Sequence, residues 1–207
     1  MRKKITLSLS IAVAMLFNSQ FARANSDSTK IYFQQAYNEL KNMLEGKQPI
    51  SYERAVFTTE NAYYGNKYSY VGYQEMIDGN LFLIKGLMKS SNREDSLNFS
   101  TKIDPIASKI DISTLRYTEK EKRELYRKTL ANWAIYKYMT DTLFFEQGNH
   151  LPFTYQINDP FGMNDWKNSQ VINLLISTQQ KGNCFALTSL FKIFADRLNS
   201  EAYICTA

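Results

Sequence analysis

Lys181-Gly182-Asn183-Cys184 is the stretch of this sequence whose residue types and order best suit covalent chemistry. Beyond it, residues 184–199 carry Ser189, Lys192, Asp196 and Asn199 at spacings of three and four, and most other positions are apolar. That pattern predicts a widely apolar, central helix with one narrow polar stripe. Asn is a strong N-cap, so Cys184 falls at the first helical position. There the open backbone N–H groups and the positive end of the helix dipole favour a thiolate. The same N–H groups can hold the oxyanion that develops when sulfur attacks an acyl carbon. Gly182 keeps the approach to the sulfur clear of a side chain. Cys184 is therefore the candidate nucleophile, with Gly182, Asn183 and Phe185 as its substrate and oxyanion vicinity.

Little else in the chain suggests chemistry. The sequence has two cysteines, Cys184 and Cys205, and one histidine, His150. No C-x-x-C or H-x-x-x-H spacing occurs, so no metal is expected, and no Gly-rich phosphate loop occurs, so no cofactor is expected. His150 lies in the turn-rich run Gly148-Asn149-His150-Leu151-Pro152, where it reads as a loop residue before it reads as a proton acceptor. A structural role for Cys184 also stands. About 15 helical residues carry the chain roughly 23 Å forward. A strand over 200–205 returns it by about 16 Å. A Cys184–Cys205 disulfide is therefore open to the geometry.

The beginning of the chain addresses compartment. Arg2, Lys3 and Lys4 precede an apolar run from Ile5 to Phe17, and a polar segment follows that ends in Ala22-Arg23-Ala24. This is the layout of a secretory signal peptide over residues 1–24. The run is shorter than the roughly 20 residues a membrane span requires, so no stable membrane anchor is expected. Arg2, Lys3, Lys4 and Arg23 account for most of the formal charge of +5, leaving residues 25–207 nearly neutral. A neutral chain gives no electrostatic case for nucleic acid. The expected location is exported, periplasmic or extracellular, in a bacterium.

The elements that must position the cysteine are mostly helical. Phe33, Ala36, Tyr37, Leu40, Met43 and Leu44 predict a helix over 28–45, ended by Gly46 and Pro49. Ala55, Val56, Thr59 and Ala62 predict a second over 51–63. Tyr73, Ile77, Leu81, Ile84 and Met88 predict a third over 70–89, although Gly79 and Gly86 weaken it. Residues 90–117 read as a long connection. Thr118 and Glu121 form a capping-box pattern opening a helix to about Thr140, with Tyr126, Leu130 and Trp133 facing inward. After Gln147, Phe153-Thr154-Tyr155 suits a short strand, and 165–179 suits a helix with Trp166, Val171, Leu174 and Leu175 inward.

At Gly182-Asn183-Cys184, followed by Leu187, Leu190, Phe191, Ala195 and Leu198 and then Ala202-Tyr203-Ile204, the sequence resembles the transglutaminase-like superfamily of papain-type cysteine enzymes. Phe153-Thr154-Tyr155, Asp159-Pro160-Phe161-Gly162 and Asp165-Trp166 resemble the lead-in of secreted bacterial members. Residues 55–63 are loosely similar to the helical region before their core. The resemblance implies a strand beginning at 202–204 and a Cys-His-Asp triad. Cys184 carries over; the His and Asp, which the family places on later strands, have no counterpart here. It also implies thiolate attack on an amide or peptide carbonyl, with a protein or peptide substrate.

The expected architecture is a mainly α N-terminal region over 25–147, followed by the incomplete start of an α+β papain/transglutaminase-like core over 148–207. As written, such a chain is expected to be a truncated version of a longer protein, or a degraded relative, and to lack triad catalysis. The alternative is a non-catalytic exported helical module that binds a protein or cell-envelope partner, with Cys184 structural.

Overall fold

The computed structural model describes residues 27–94, 118–145 and 148–204. The signal-peptide segment 1–24, most of the 90–117 connection, and Cys205, the other half of the disulfide left open above, lie outside the described residues.

The apolar periodicity becomes helices. α1 (Asp27–Leu44) buries Ala36, Leu40 and Met43, and ends at Gly46, whose φ of 74° suits a residue without a side chain. α2 (Tyr52–Tyr63) starts where the Ser51 side chain accepts a hydrogen bond from the Arg54 N–H. Leu40 and Met43 of α1 and Ala55 of α2 form one apolar cluster, with Phe33 packed against it. Each large side chain fully buried this way contributes on the order of 1.5–3 kcal/mol. α3 (Tyr70–Glu94) buries Tyr73, Ile77, Leu81 and Ile84, and it runs five residues past the predicted end. Gly79 and Gly86 lie in it with open space around them and do not break it.

α4 (Glu119–Thr140) has the predicted capping box: Thr118 accepts from the Glu121 N–H, and the Glu121 carboxylate accepts from the Thr118 N–H. Its inner face differs from the prediction. Leu130, Ala131, Ala134, Ile135, Tyr138 and Met139 are buried, while Tyr126 is exposed and Trp133 half-buried. Ala131 and Ala134, both fully buried, lie at the centre of this inner face, and Tyr126 and Trp133 lie to its side. A short hairpin follows that the sequence did not suggest, β1 (Leu143–Phe145) antiparallel to β2 (Gly148–His150).

β3 (Thr154–Tyr155) is the predicted short strand, and it pairs in parallel with β4 (Lys181–Gly182). The predicted helix over 165–179 is two pieces, a 3-10 turn (Trp166–Ser169) and α5 (Val171–Ile176). Between them Gln170 is extended, with φ −108° and ψ 134°. The chain then enters α6 (Cys184–Arg197), which buries Ala186, Leu190, Ile193, Phe194 and Ala195.

One further expectation fails. No strand forms at 201–204, where the Glu201 carbonyl accepts from Asn132 Nδ2 and its carboxylate from Lys128 Nζ, so side chains of α4 hold this segment. Among the described residues strands occur only as two separate pairs. The protein is mainly helical.

The chain divides into two compact units. One comprises Met1–Ile77, Phe153–Ile193 and Ile204–Ala207; the other comprises Asp78–Pro152 and Phe194–Tyr203. Each draws on both the 25–147 and the 148–207 stretches. No described helix is long and apolar enough to cross a membrane.

Candidate functional site around Cys184

Cys184 stands at the first residue of α6 with an exposed, free thiol. The helix begins there because of Asn183, which is fully buried and extensively bonded. Its Oδ1 accepts from the N–H groups of Phe185 at 3.0 Å and Ala186 at 3.3 Å. Its Nδ2 donates to Ser169 Oγ at 2.7 Å, and its own N–H donates to the Asn168 carbonyl at 2.7 Å. The cap is thus anchored to the 3-10 turn, which fixes the direction in which α6 leaves. Phe185 is half-buried, and its N–H serves the cap.

The Cys184 N–H has no hydrogen-bond partner among the described residues, so one donor at the helix end stays open beside the sulfur. The sulfur's own hydrogen-bond partner is the Pro160 carbonyl, at 3.8 Å. A carbonyl accepts, so the S–H donates in this contact, which orients the sulfur.

The loop that carries Pro160 is tied down by Asp159. Its carboxylate accepts from the N–H groups of Asn164 and Asp165 and from Asn168 Nδ2 at 2.8 Å. The Asn168 hydrogen bond, with help from these backbone donors, holds the Asp159 carboxyl below its usual range. Gly162 has a φ of 67°, and a Cβ there would lie 2.1 Å from Ser169 Oγ. Only glycine fits this turn against the 3-10 segment. Gly182 acts differently from its expected role. It is buried, and a Cβ would lie 2.9 Å from Leu174 and 3.0 Å from Ala186, so its small size serves packing of β4 against α5 and α6.

Sequence reasoning missed Glu60. It sits in α2 and is buried, and its two carboxyl oxygens accept from the N–H groups of Val171 and Ile172, each at 2.8 Å. It supplies the side-chain cap that Gln170 does not give to α5. Burial pushes the Glu60 carboxyl up to about 8, against the opposing pull of those two N–H groups. Gln170 itself accepts from the Tyr64 hydroxyl at 2.7 Å. A charged residue on the buried side of α2 was the available signal, since an acid on an inner face needs buried donors.

His150 is not beside a thiol in its unit. It is buried in β2, stacked on Tyr138 at 3.9 Å, and its Nε2 bonds the Tyr138 carbonyl at 2.7 Å. A carbonyl accepts, so Nε2 carries the proton. Burial lowers the His150 pKa. The ring is a structural member of the hairpin and α4. Among the described residues no group of three or more His, Cys, Asp or Glu side chains is placed to hold a metal.

Comparison with known proteins finds no matching family model, no matching curated protein and no matching solved structure. The site is therefore argued from its own geometry.

Proposed function

We propose that this protein presents Cys184 as a nucleophile for acyl chemistry on amide or peptide carbonyls, in the manner of the transglutaminase-like superfamily it resembles. The observation that carries this reading is an exposed sulfur at the first position of a firmly capped helix, with the Cys184 N–H open beside it. In the reaction, the thiolate attacks the carbonyl carbon and the developing oxyanion takes the Cys184 N–H. The C–N bond then breaks, the amine leaves with a proton, and a thioester remains for water or an amine to resolve. The papain-type arrangement of the core, export to a bacterial envelope or exterior, and a peptide substrate belong to the same proposal.

Expulsion of an amine needs a group that delivers a proton. The one histidine in this sequence is held by Tyr138. This chain on its own is accordingly expected to accept acyl groups from activated esters, whose leaving groups need no proton, while leaving amides uncleaved. The experiment is incubation of the native protein with p-nitrophenyl acetate, followed by intact-mass and peptide analysis. The proposal expects an acetyl adduct on Cys184 that is absent from Cys184→Ser. No adduct at Cys184 from the folded protein overturns it.

The contact from sulfur to the Pro160 carbonyl favours a second reading. There Cys184 is a structural thiol in a non-catalytic helical module that binds a protein or envelope partner. That reading expects Cys184→Ser to keep the same partner contact and the folded protein to resist acetylation.

A further inference from the structure

The first unit contains a groove of about 580 Å³ that Cys184 does not line. Its walls are α1 and the beginning of α2, with Gln35, Asn38, Asn42 and Gln48 supplying four primary amides, and Met43 and Pro49 supplying apolar surface. Glu39 and Arg54 complete the lining and pair with each other through Arg54 Nε and Glu39 Oε1. The pair neutralises the formal charge of the groove but leaves the guanidinium fork unfilled. The two Nη groups of Arg54 make no hydrogen bond among the described residues. The guanidinium rests on the Tyr70 ring at 4.2 Å, which holds it in place.

Hydrogen-bonding capacity in this groove is unbalanced. The Gln35 carbonyl oxygen already accepts from Asn66, and the Asn38 carbonyl oxygen accepts from Gln34, so each has one lone pair left beside two NH2 donors. The Asn42 and Gln48 side chains have no partner among the described residues. Donors from four amides and from Arg54 therefore exceed the open acceptors. A ligand that satisfies them has acceptors in excess, and a carboxylate with carbonyls behind it has that composition. Spacing agrees. Gln35, Asn38 and Asn42 recur at intervals of three and four along one face of α1, a row about 10 Å long. Extended peptide advances about 3.3 Å per residue, so the row matches three peptide units. No aromatic ring lines the groove, so it lacks a platform for stacked rings.

We infer that this α1–α2 groove binds the carboxy-terminal end of an extended peptide. The Arg54 fork takes the carboxylate, and the Gln35, Asn38, Asn42 and Gln48 amides take the carbonyls. This inference is independent of the role of Cys184, and Cys184→Ser should leave it unchanged.

The test is isothermal titration of the full chain with tri-alanine carrying a free carboxylate. Saturable binding is expected. Tri-alanine ending in a carboxamide should bind roughly tenfold more weakly, since it loses a charge-assisted bond to Arg54. Asn42→Ala combined with Gln48→Ala should weaken the acid peptide by about tenfold, with the far-ultraviolet circular dichroism unchanged. Gln48→Ala alone, at an exposed position outside the helices, gives a smaller loss of about threefold without risk to the fold. Absence of saturable binding, equal affinity for acid and amide, equal affinity for acetate alone, or undiminished binding in Gln48→Ala each overturns the inference.

Discussion

Replacing Asn183 with Ala should unsettle the entrance of α6 more than an ordinary surface cap would. Loss of an Asn cap costs about 1 kcal/mol. Asn183 is fully buried, and one of its donors, the Ala186 N–H, belongs to a buried residue that water cannot reach easily. Leaving that group unpaired adds about 1–2 kcal/mol. The Nδ2 bond to Ser169 Oγ is lost as well, but Ser169 is half-buried and can turn to solvent. The expected total is about 2–3 kcal/mol, measured as a fall in the urea midpoint at constant slope. For a chain of this size it corresponds to a melting temperature lowered by roughly 4–12 °C. Asn183→Asp supplies the internal comparison. It keeps the acceptor, adds negative charge at the positive end of the helix, and loses only the donor to Ser169, so it should recover most of the loss. The reasoning is refuted if Asn183→Ala lies within 0.5 kcal/mol of the parent, roughly the range of neutral surface changes. It is equally refuted if Asn183→Asp is as damaging as Ala.

Three other expectations follow from the described groups. Glu60 has its carboxyl raised to about 8, so the folded chain keeps that proton between pH 4.5 and 8 while the unfolded chain releases it. Stability should therefore fall as pH rises through that window, and urea titrations of Glu60→Gln should show a flatter profile there. His150 is shifted the other way by burial. Its stabilising contribution is full above the unfolded value of 6.5 and declines as pH falls below it, and a proton NMR titration should find the ring more than half neutral at pH 6.5. Gly79→Ala and Gly86→Ala meet no neighbouring atom within 4 Å, so each should stabilise α3 by about 1 kcal/mol, read as a higher urea midpoint.

What the sequence revealed was local. The Thr118–Glu121 capping box and the Asn183 cap each depend on residues within one helical turn, and each forms. Much of the inward side of α1 to α3 was legible for the same reason, since the helical period alone selects Leu40, Ala55 and Ile77, although Tyr37 and Leu44, expected on the same face of α1, are exposed. Glu60 was not legible, because its donors are 111 and 112 residues away in the chain. The centring of the inner face of α4 on Ala131 and Ala134 was also hidden, because small side chains carry a weaker hydrophobic signal than Tyr126 and Trp133. Residues 201–204 had strand-like composition, yet Glu201 is held by Lys128 and Asn132, partners that no local pattern announces. At the candidate site, the position of Cys184 was readable from Asn183, whereas the Pro160 carbonyl facing the sulfur was not.

The most direct test of the account is the alkylation rate of Cys184 by iodoacetamide at pH 7, resolved by peptide mass spectrometry and compared with the same cysteine in urea. Reaction several-fold faster in the folded protein, slowed by Asn183→Ala, is the predicted result. A folded-state rate equal to or below that of the unfolded chain contradicts a nucleophile activated by the helix end.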